Sequence, residues 1–191
     1  EGYMEFISIL YWISVILGIW YVLKNQRLVN LFIVYSLLNI SIIVFLKNQI
    51  EFYLLGTISN LIAFFIVIKF IKDKYDVETV FGLEGLVLKT PVFAFILRTV
   101  LIMIGGFPPF LSSNVIYYNL INSDVSFYSI ISLILLLIFN FTLFMRLTVN
   151  VLFGKPSEDV VYKDVSKNIT IISLFIIILN LYLGISYILN L

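Results

Sequence analysis

Few side chains in this sequence could carry out chemistry, because it contains no cysteine and no histidine. Metal sites built on thiolate or imidazole, haem ligation and histidine-dependent catalytic triads are therefore excluded. Three basic residues lie in or near long apolar segments: Arg98, Arg146 and Lys69. They are the first candidates for proton or ion chemistry, since a charge inside a bilayer costs at least about 2.5–3.5 kcal/mol unless it is paired or hydrated.

These three charges differ in their depth along the apolar segments. Arg98 lies in the middle of its segment, so it should face the protein interior, a lipid headgroup or a partner chain. Packing against helix carbonyl groups explains Arg98 equally well. Arg146 and Lys69 lie nearer the ends of their segments, where extension of the side chain to the membrane surface is the better explanation.

The run GGFPPF interrupts the apolar sequence between residues 104 and 111. Pro108 and Pro109 remove two backbone donors, and Gly105 and Gly106 loosen the chain before them. Interrupted helices in transporters mark the places where ions or substrates pass. The break is therefore the most specific functional feature in the sequence.

A polar cluster follows the break directly. Its members are Ser112, Ser113, Asn114, Tyr117, Tyr118 and Asn119. These hydroxyls and amides could order water along a proton path, or they could satisfy carbonyl groups freed by the prolines. The second explanation is the more ordinary one.

We expect no redox or hydrolytic site, no metal and no cofactor on this chain. No carboxylate pair lies in an apolar segment, and GGFPPF lacks the strand–turn–helix context of a nucleotide-binding loop. The net charge of +1 gives no field that would attract nucleic acid.

The elements that hold these residues are membrane-spanning helices. The sequence is 62% hydrophobic and 12% charged, and its mean hydropathy is +1.12, whereas soluble proteins are about 45–50% apolar and about 25% charged. We predict an all-α polytopic membrane protein with one transmembrane domain over residues 1–191. The predicted spans are residues 6–23, 28–46, 52–71, 87–104, 108–121, 127–149 and 169–189.

The interruption leaves the number of spans open between six and seven. Residues 87–121 form either one long broken helix or two spans joined by a turn within GGFPP, and two spans fit the length better. With seven spans, Lys and Arg divide almost evenly between the two faces, so the positive-inside rule gives no orientation.

The composition also carries a hint about the gene. Phe and Tyr are abundant, with 18 and 12 residues, and Ile, Asn and Lys are frequent, whereas Ala63 and Ala94 are the sequence's alanines. These preferences correspond to A/T-rich codons, as in an organelle genome or an A/T-rich bacterium.

Residues 82–154 resemble subunit 2 of respiratory complex I, the proton-pumping NADH:ubiquinone oxidoreductase. In that family K-T-P or T-x-P opens a span that ends in G-G-[LIF]-P-P, followed by a broken helix. Lys89, Thr90 and Pro91 match the opening, and GGFPP matches the turn. Arg146 and Leu147 match an aromatic-rich Y-x-R-L segment of the next span. Subunits 4 and 5 and cation/proton antiporter subunits carry close variants of the turn.

The resemblance implies a membrane-arm subunit in the mitochondrial inner membrane that contributes structure and part of a proton path. It implies no cofactor on this chain, with FMN, iron–sulfur clusters and ubiquinone on other subunits. The implied partners are other membrane-arm subunits and membrane lipids, with cardiolipin expected among them.

Two departures from the family pattern matter. The family places a lysine, or a glutamate in subunit 4, ten residues after the glycine that corresponds to Gly106; here that position is Ile116, which cannot titrate. The chain is also shorter than the family's, matching its C-terminal half. The resemblance therefore implies a split or shortened subunit 2, whose other half is a separate chain or has been lost. A fragment of subunit 4 or 5, a cation/proton antiporter subunit and a purely structural membrane protein are the alternatives.

Overall fold

The computed structural model describes residues 2–121, 126–153 and 164–190, which form helices and no strand. The helices are α1 (Gly2–Lys24), α2 (Leu28–Ser41), α3 (Ile50–Tyr75), α4 (Leu86–Lys89), α5 (Pro91–Ile104), α6 (Leu111–Ile121), α7 (Phe127–Leu152) and α8 (Lys167–Leu189). Short 3₁₀ helices cover Ile42–Phe45, which extends α2, and Val80–Leu83.

Five of these helices are long and apolar enough to cross a membrane: α1, α2 with its 3₁₀ extension, α3, α7 and α8. Their 18 to 26 residues correspond to lengths of about 27–39 Å at 1.5 Å per residue, against a hydrocarbon core about 30 Å thick. The prediction of an all-α polytopic membrane protein is confirmed. Large apolar side chains are exposed on each of these five helices, and α1 and α8 have the smallest buried share, as expected for helices that face lipid.

The two segments on either side of GGFPPF are each too short to cross alone. α5 has 14 residues and α6 has 11, or about 21 and 16 Å. Both helices pack against α3, and their contacts follow α3 from its last residues back to its first. Phe93 at the start of α5 contacts Tyr75 at the end of α3, and Asn119 near the end of α6 hydrogen-bonds Asn48 just before α3. Between them, Asn60 in the middle of α3 contacts both sides of the break.

α5 and α6 therefore run end to end as one interrupted crossing, antiparallel to α3. The sequence leaves open one long broken helix or two spans over residues 87–104 and 108–121, with two spans preferred by length, and the contacts of Asn60 with both sides of the break favour the first arrangement. The physical reason is that the break lies in the middle of the bundle, level with Asn60, rather than at its surface. The described chain thus has six crossings.

Six crossings place the connecting segments on two faces. We name as the loop face the end of the bundle that contains residues 25–27, 76–90 and 164–166. Backbone hydrogen bonds from Leu28 to Glu78 and from Val80 to Gln26 join two of these segments, and the Asp164 carboxylate accepts from the Phe93 backbone N–H at 3.0 Å. The opposite face contains residues 46–49 and 190.

The charged segment between α3 and Thr90 contains two short helices, the 3₁₀ helix Val80–Leu83 and the four-residue α4. Lys72 at the end of α3 forms an ion pair with Glu78 at 2.9 Å. This hydrogen bond and the lysine charge lower the pKa of Glu78.

Candidate functional site

The interruption between α5 and α6 is formed by a left-handed glycine and two prolines. Gly106 has φ +83°, a conformation that residues with a side chain rarely adopt, and the Pro108–Pro109 peptide bond is cis. The chain becomes helical again at Leu111. Backbone groups freed here lie inside an apolar bundle, so they need partners from the protein.

Asparagine side chains supply those partners. The Leu111 backbone N–H donates to Oδ1 of Asn180 at 3.0 Å, and Nδ2 of Asn114 donates to the Pro109 carbonyl oxygen at 3.0 Å. Nδ2 of Asn60 reaches the Met103 carbonyl oxygen at 3.4 Å. The break is thus hydrogen-bonded on both sides by amides.

The side chains of Asn60, Ser112 and Asn180 are hydrogen-bonded to one another. Together with Asn114, which bonds the Pro109 and Gly184 carbonyl oxygens, they form what we call the break network. Nδ2 of Asn180 donates to Oδ1 of Asn60 at 3.0 Å. Nδ2 of Asn60 donates in turn to the Ser112 hydroxyl at 2.9 Å. All four residues are buried. The network joins α3, α6 and α8 around the break.

Two glycines allow the neighbouring helices to approach the break closely. A Cβ at Gly184 of α8 would collide with the Pro109 carbonyl oxygen and lie 2.9 Å from the Leu111 nitrogen. A Cβ at Gly56 of α3 would lie 2.5 Å from the Ser112 nitrogen. The Gly184 carbonyl oxygen accepts from Asn114 at 3.0 Å. Small residues permit this backbone-to-backbone packing, which is a common feature of membrane helix interfaces.

A second buried amide pair joins α2 to α7. Asn39 and Asn140 donate to each other's Oδ1 atoms at 3.0 and 3.1 Å. The Tyr53 hydroxyl donates to the Asn39 carbonyl oxygen at 2.9 Å, which connects α3 to the pair. We call Asn39 and Asn140 the amide pair.

The break network and the amide pair contain amides and hydroxyls and no charged side chain. Neither group changes its protonation state between pH 4 and pH 9, since neither amides nor serine hydroxyls titrate there. Among residues 2–121, 126–153 and 164–190, no cluster of three or more Asp, Glu, His or Cys residues could hold a metal ion. The site can therefore orient and stabilise a break, and it holds no general acid or base.

The polar cluster predicted after the break is divided by the structure. Ser112 and Asn114 belong to the break network, and Asn119 hydrogen-bonds Asn48 instead. Ser113 is fully buried, and its hydroxyl has no hydrogen-bond partner in the described part of the chain. Ile116 is buried at 2% exposure.

The two tyrosines of the cluster point away from the break network. Tyr117 is exposed and lines a groove of about 290 Å³ beside Gly106 and Phe107. Tyr118 is half-buried, and its ring lies 6.3 Å from that of Tyr187 near the opposite face.

The three predicted charges lie outside both amide clusters. Arg98 is exposed on the outer side of α5, and Lys69 is exposed near the loop face. Arg146 is half-buried near the end of α7, and its Nη1 atom has no hydrogen-bond partner among the described residues.

The sequence analysis missed Asn39, Asn60, Asn140 and Asn180. Each is an amide within an apolar segment. A lone amide in hydrocarbon is costly, so several such residues on different spans indicate that they meet. That signal was available in the sequence, although it does not show which amides pair.

The fold and the break define a polytopic helical membrane protein with one discontinuous crossing held by amides. A chain of respiratory complex I from Thermus thermophilus, solved with bound aureothin, is similar in structure, with a TM-score of 0.68 and 19% sequence identity. The similarity covers 94% of this chain and 43% of that chain. This chain therefore spans less than half the length of its structural neighbour. No family model and no curated protein sequence matches it.

Proposed function

We propose that this chain is a membrane-arm subunit of the proton-pumping NADH:ubiquinone oxidoreductase, corresponding to the C-terminal half of subunit 2. The observation that supports this most is a fold shared over 94% of the chain with a complex I protein. The pattern from Lys89 to Pro109 supports the same assignment independently, because it rests on sequence and not on fold. In this proposal FMN, iron–sulfur clusters and ubiquinone belong to other subunits, and this chain holds no redox centre.

We infer that the contribution of this chain is mainly structural. A proton relay needs a group that binds and releases a proton, and the break network contains none. Ile116 occupies the position where the family has a titratable residue, and it is buried in an apolar core. Asn60 and Asn180 hold the break without a charged side chain, so in this proposal the break network itself is not a step of a proton path.

The partners in this proposal are other membrane-arm subunits. The sequence accounts for 43% of the length of its structural neighbour, so more than half of that fold lies outside these residues. The assembly would lie in the mitochondrial inner membrane, with cardiolipin among its lipids. The composition fits an organelle genome and fits an A/T-rich bacterium equally, so the mitochondrial location rests on the family resemblance.

The six crossings also support an orientation. At the loop face the described basic residues are Lys24, Arg27, Lys72, Lys74, Lys89 and Lys167, whereas at the opposite face the described range offers Lys47. The positive-inside rule then assigns the loop face to the side on which the protein is synthesised, which in a mitochondrion is the matrix. With seven spans the same basic residues divide almost evenly between the two faces, so the asymmetry follows from the count of six crossings.

Gentle detergent extraction, native-gel separation and mass spectrometry of the comigrating chains test the proposal. We expect flavin and iron–sulfur NADH dehydrogenase subunits among the comigrating chains. A small assembly of membrane subunits alone would favour a cation/proton antiporter. A chain that migrates alone would leave only a structural role.

A further inference from the structure

A cavity of about 570 Å³ lies at the loop face, where the end of α1 meets the start of α2. We call it the basic pocket. Its lining combines aromatic rings, amides and two cations, and includes Trp20, Tyr21, Lys24, Asn25, Arg27 and Asn30. Trp and Tyr concentrate at the level of lipid headgroups in membrane proteins, so the pocket opens where headgroups lie.

The two cations of the basic pocket are available to a ligand. Within the described ranges neither Lys24 nor Arg27 forms an ion pair. The Lys24 ammonium lies over the Trp20 ring, with Nζ 4.4 Å from the ring centre. The charge of Arg27 contributes to the lowered pKa of Glu78, but the Glu78 carboxylate binds Lys72 at 2.9 Å. An anion in the pocket would therefore find both cations without a carboxylate partner.

Hydrogen bonds fix the turn that carries Arg27. The Arg27 backbone N–H donates to Oδ1 of Asn25 at 2.9 Å. Two backbone hydrogen bonds, of 2.8 and 2.9 Å, join residues 26 and 28 to the segment 78–80. The wall of the basic pocket is thus preorganised, and a ligand does not have to order it on binding.

An apolar groove continues from the basic pocket towards the middle of the membrane. It lies between α1 and α2, has a volume of about 460 Å³, and shares Tyr21 with the pocket. Its walls include Leu17, Gly18, Val34 and Leu37. Because Gly18 has no side chain, the groove stays open at its level. We call it the α1–α2 groove.

The α1–α2 groove has the length of one membrane leaflet. Ser14 and Ser41 line its lower end, and each hydroxyl donates to a carbonyl oxygen of its own helix, at 2.8 and 3.0 Å. Ser14 lies ten residues before Lys24, or about 15 Å along the axis. Half of a hydrocarbon core about 30 Å thick is also about 15 Å. The groove therefore fits an acyl chain that descends from the headgroup level.

We propose that the basic pocket and the α1–α2 groove together bind one anionic phospholipid, with its phosphate held by Lys24 and Arg27 and one acyl chain in the groove. Lysine and arginine donate charge-assisted hydrogen bonds to phosphate oxygens, and basic residues at a membrane surface favour anionic lipids. The groove favours a phospholipid over a free phosphate, which has no apolar part to bury. The inference goes beyond the proposed function, because every residue of the site belongs to this chain.

Lipid binding to the purified chain in detergent tests the proposal. Native mass spectrometry compares the affinities for phosphatidylglycerol and for phosphatidylcholine with the same acyl chains. We expect phosphatidylglycerol to bind about 25-fold more tightly, since each of two basic residues near a membrane surface contributes about fivefold. Glycerophosphoglycerol, which is the same headgroup without acyl chains, should not displace the lipid at equal concentration.

The double variant Lys24→Gln/Arg27→Gln should lose the preference for phosphatidylglycerol. Both side chains are exposed, so the change removes two charges and leaves the fold intact, which circular dichroism checks. The matched control is Lys89→Gln/Lys167→Gln, which removes the same charge from two exposed lysines of the loop face outside the pocket. The control should keep the preference within about twofold.

Val34→Phe tests the α1–α2 groove separately. Val34 is half-buried in the groove wall, and a phenylalanine ring would occupy the space of the acyl chain. We expect the affinity for phosphatidylglycerol to fall at least about fivefold, while the preference over phosphatidylcholine stays unchanged. Ile33→Phe, at an exposed position of the same helix outside the groove, should leave the affinity within about twofold of the wild type.

Three results would overturn the proposal. Equal affinities of the wild type for the two lipids would show that the pocket does not select an anionic headgroup. Equal losses in the two double variants would show that the preference comes from the total charge of the loop face. Displacement of the lipid by glycerophosphoglycerol, or an unchanged affinity in Val34→Phe, would show that the groove holds no acyl chain and that the pocket binds a small phosphate. None of these measurements depends on which complex contains the chain.

Discussion

Replacement of Gly184 by alanine should separate α8 from the helix break. A Cβ at this position would collide with the Pro109 carbonyl oxygen and lie 3.0 Å from the Phe110 carbonyl carbon. Both are backbone atoms of the break, so they cannot rotate away as a side chain would. The helix as a whole has to move outward.

The size of the stability loss follows from the hydrogen bonds that are lost when α8 moves. Asn180 accepts from the Leu111 N–H at 3.0 Å, and the Gly184 oxygen accepts from Asn114 at 3.0 Å. Two such hydrogen bonds in a membrane contribute about 1–3 kcal/mol together, and overpacking adds about 1–3 kcal/mol. The higher helix propensity of alanine offsets about 1 kcal/mol. We expect a net loss of about 3 kcal/mol in the free energy of unfolding.

Gly18→Ala is the matched control. A Cβ at Gly18 of α1 would lie 2.7 Å from Cδ1 of Leu38, the end of a flexible side chain, and no backbone atom is among its nearest neighbours. The leucine can rotate away, so this variant should stay within about 1 kcal/mol of the wild type.

Titration of the full-length chain from mild detergent into sodium dodecyl sulfate, followed by circular dichroism, measures both variants. Equal unfolding midpoints for Gly184→Ala and Gly18→Ala would refute the close packing of α8 on the break. A lower unfolding midpoint for both variants would show instead that neither glycine position tolerates a methyl group.

Three further predictions concern the amide pair, the left-handed glycine and the loop face. Each of the single variants Asn39→Leu and Asn140→Leu should lower the free energy of unfolding by about 1–3 kcal/mol, because it leaves one buried amide unpaired. The double variant should lower it by less than the sum of the two. Additive losses in this double-mutant cycle, measured by the same titration, would contradict the pairing. Gly106→Ala should cost about 1–2 kcal/mol, because alanine is strained at φ +83°, and an unchanged midpoint would argue against that backbone conformation. The pKa of Glu78 lies below its unfolded value, so its contribution to stability is present above the unfolded pKa and is lost as the pH falls through the folded one. Hydrogen exchange at the loop face should increase over that acidic range, and Glu78→Gln should make this increase smaller; an equal increase in both proteins would contradict the contribution of Glu78.

The sequence predicted the helical class and the position of the break because both depend on local properties. Hydropathy over about 20 residues predicts a span, and two adjacent prolines after two glycines end a helix wherever they occur. Whether the chain turns back or continues after the break depends on distant contacts, such as Asn60 with Met103 and Asn119 with Asn48. Those contacts follow no periodicity, so the number of crossings could not be read from residues 87–121.

The candidate site was predictable only in part for a related reason. Ser112 and Asn114 lie next to the break in sequence, so proximity identified them. Asn60 and Asn180 reach it from other helices, across separations of 52 and 69 residues. From the sequence, Arg98 is expected to face the protein interior, a lipid headgroup or a partner, and its exposure on α5 excludes the interior of the described chain.

The neutral character of the break network has a consequence for how the chain behaves in an energised membrane. A charged group that moves across the full membrane gains or loses about 2.3 kcal/mol per 100 mV of membrane potential. The amides of Asn60, Asn114 and Asn180 carry no net charge, so the potential does almost no work on them if α6 shifts against α8. The break should therefore keep the same arrangement in polarised and depolarised membranes.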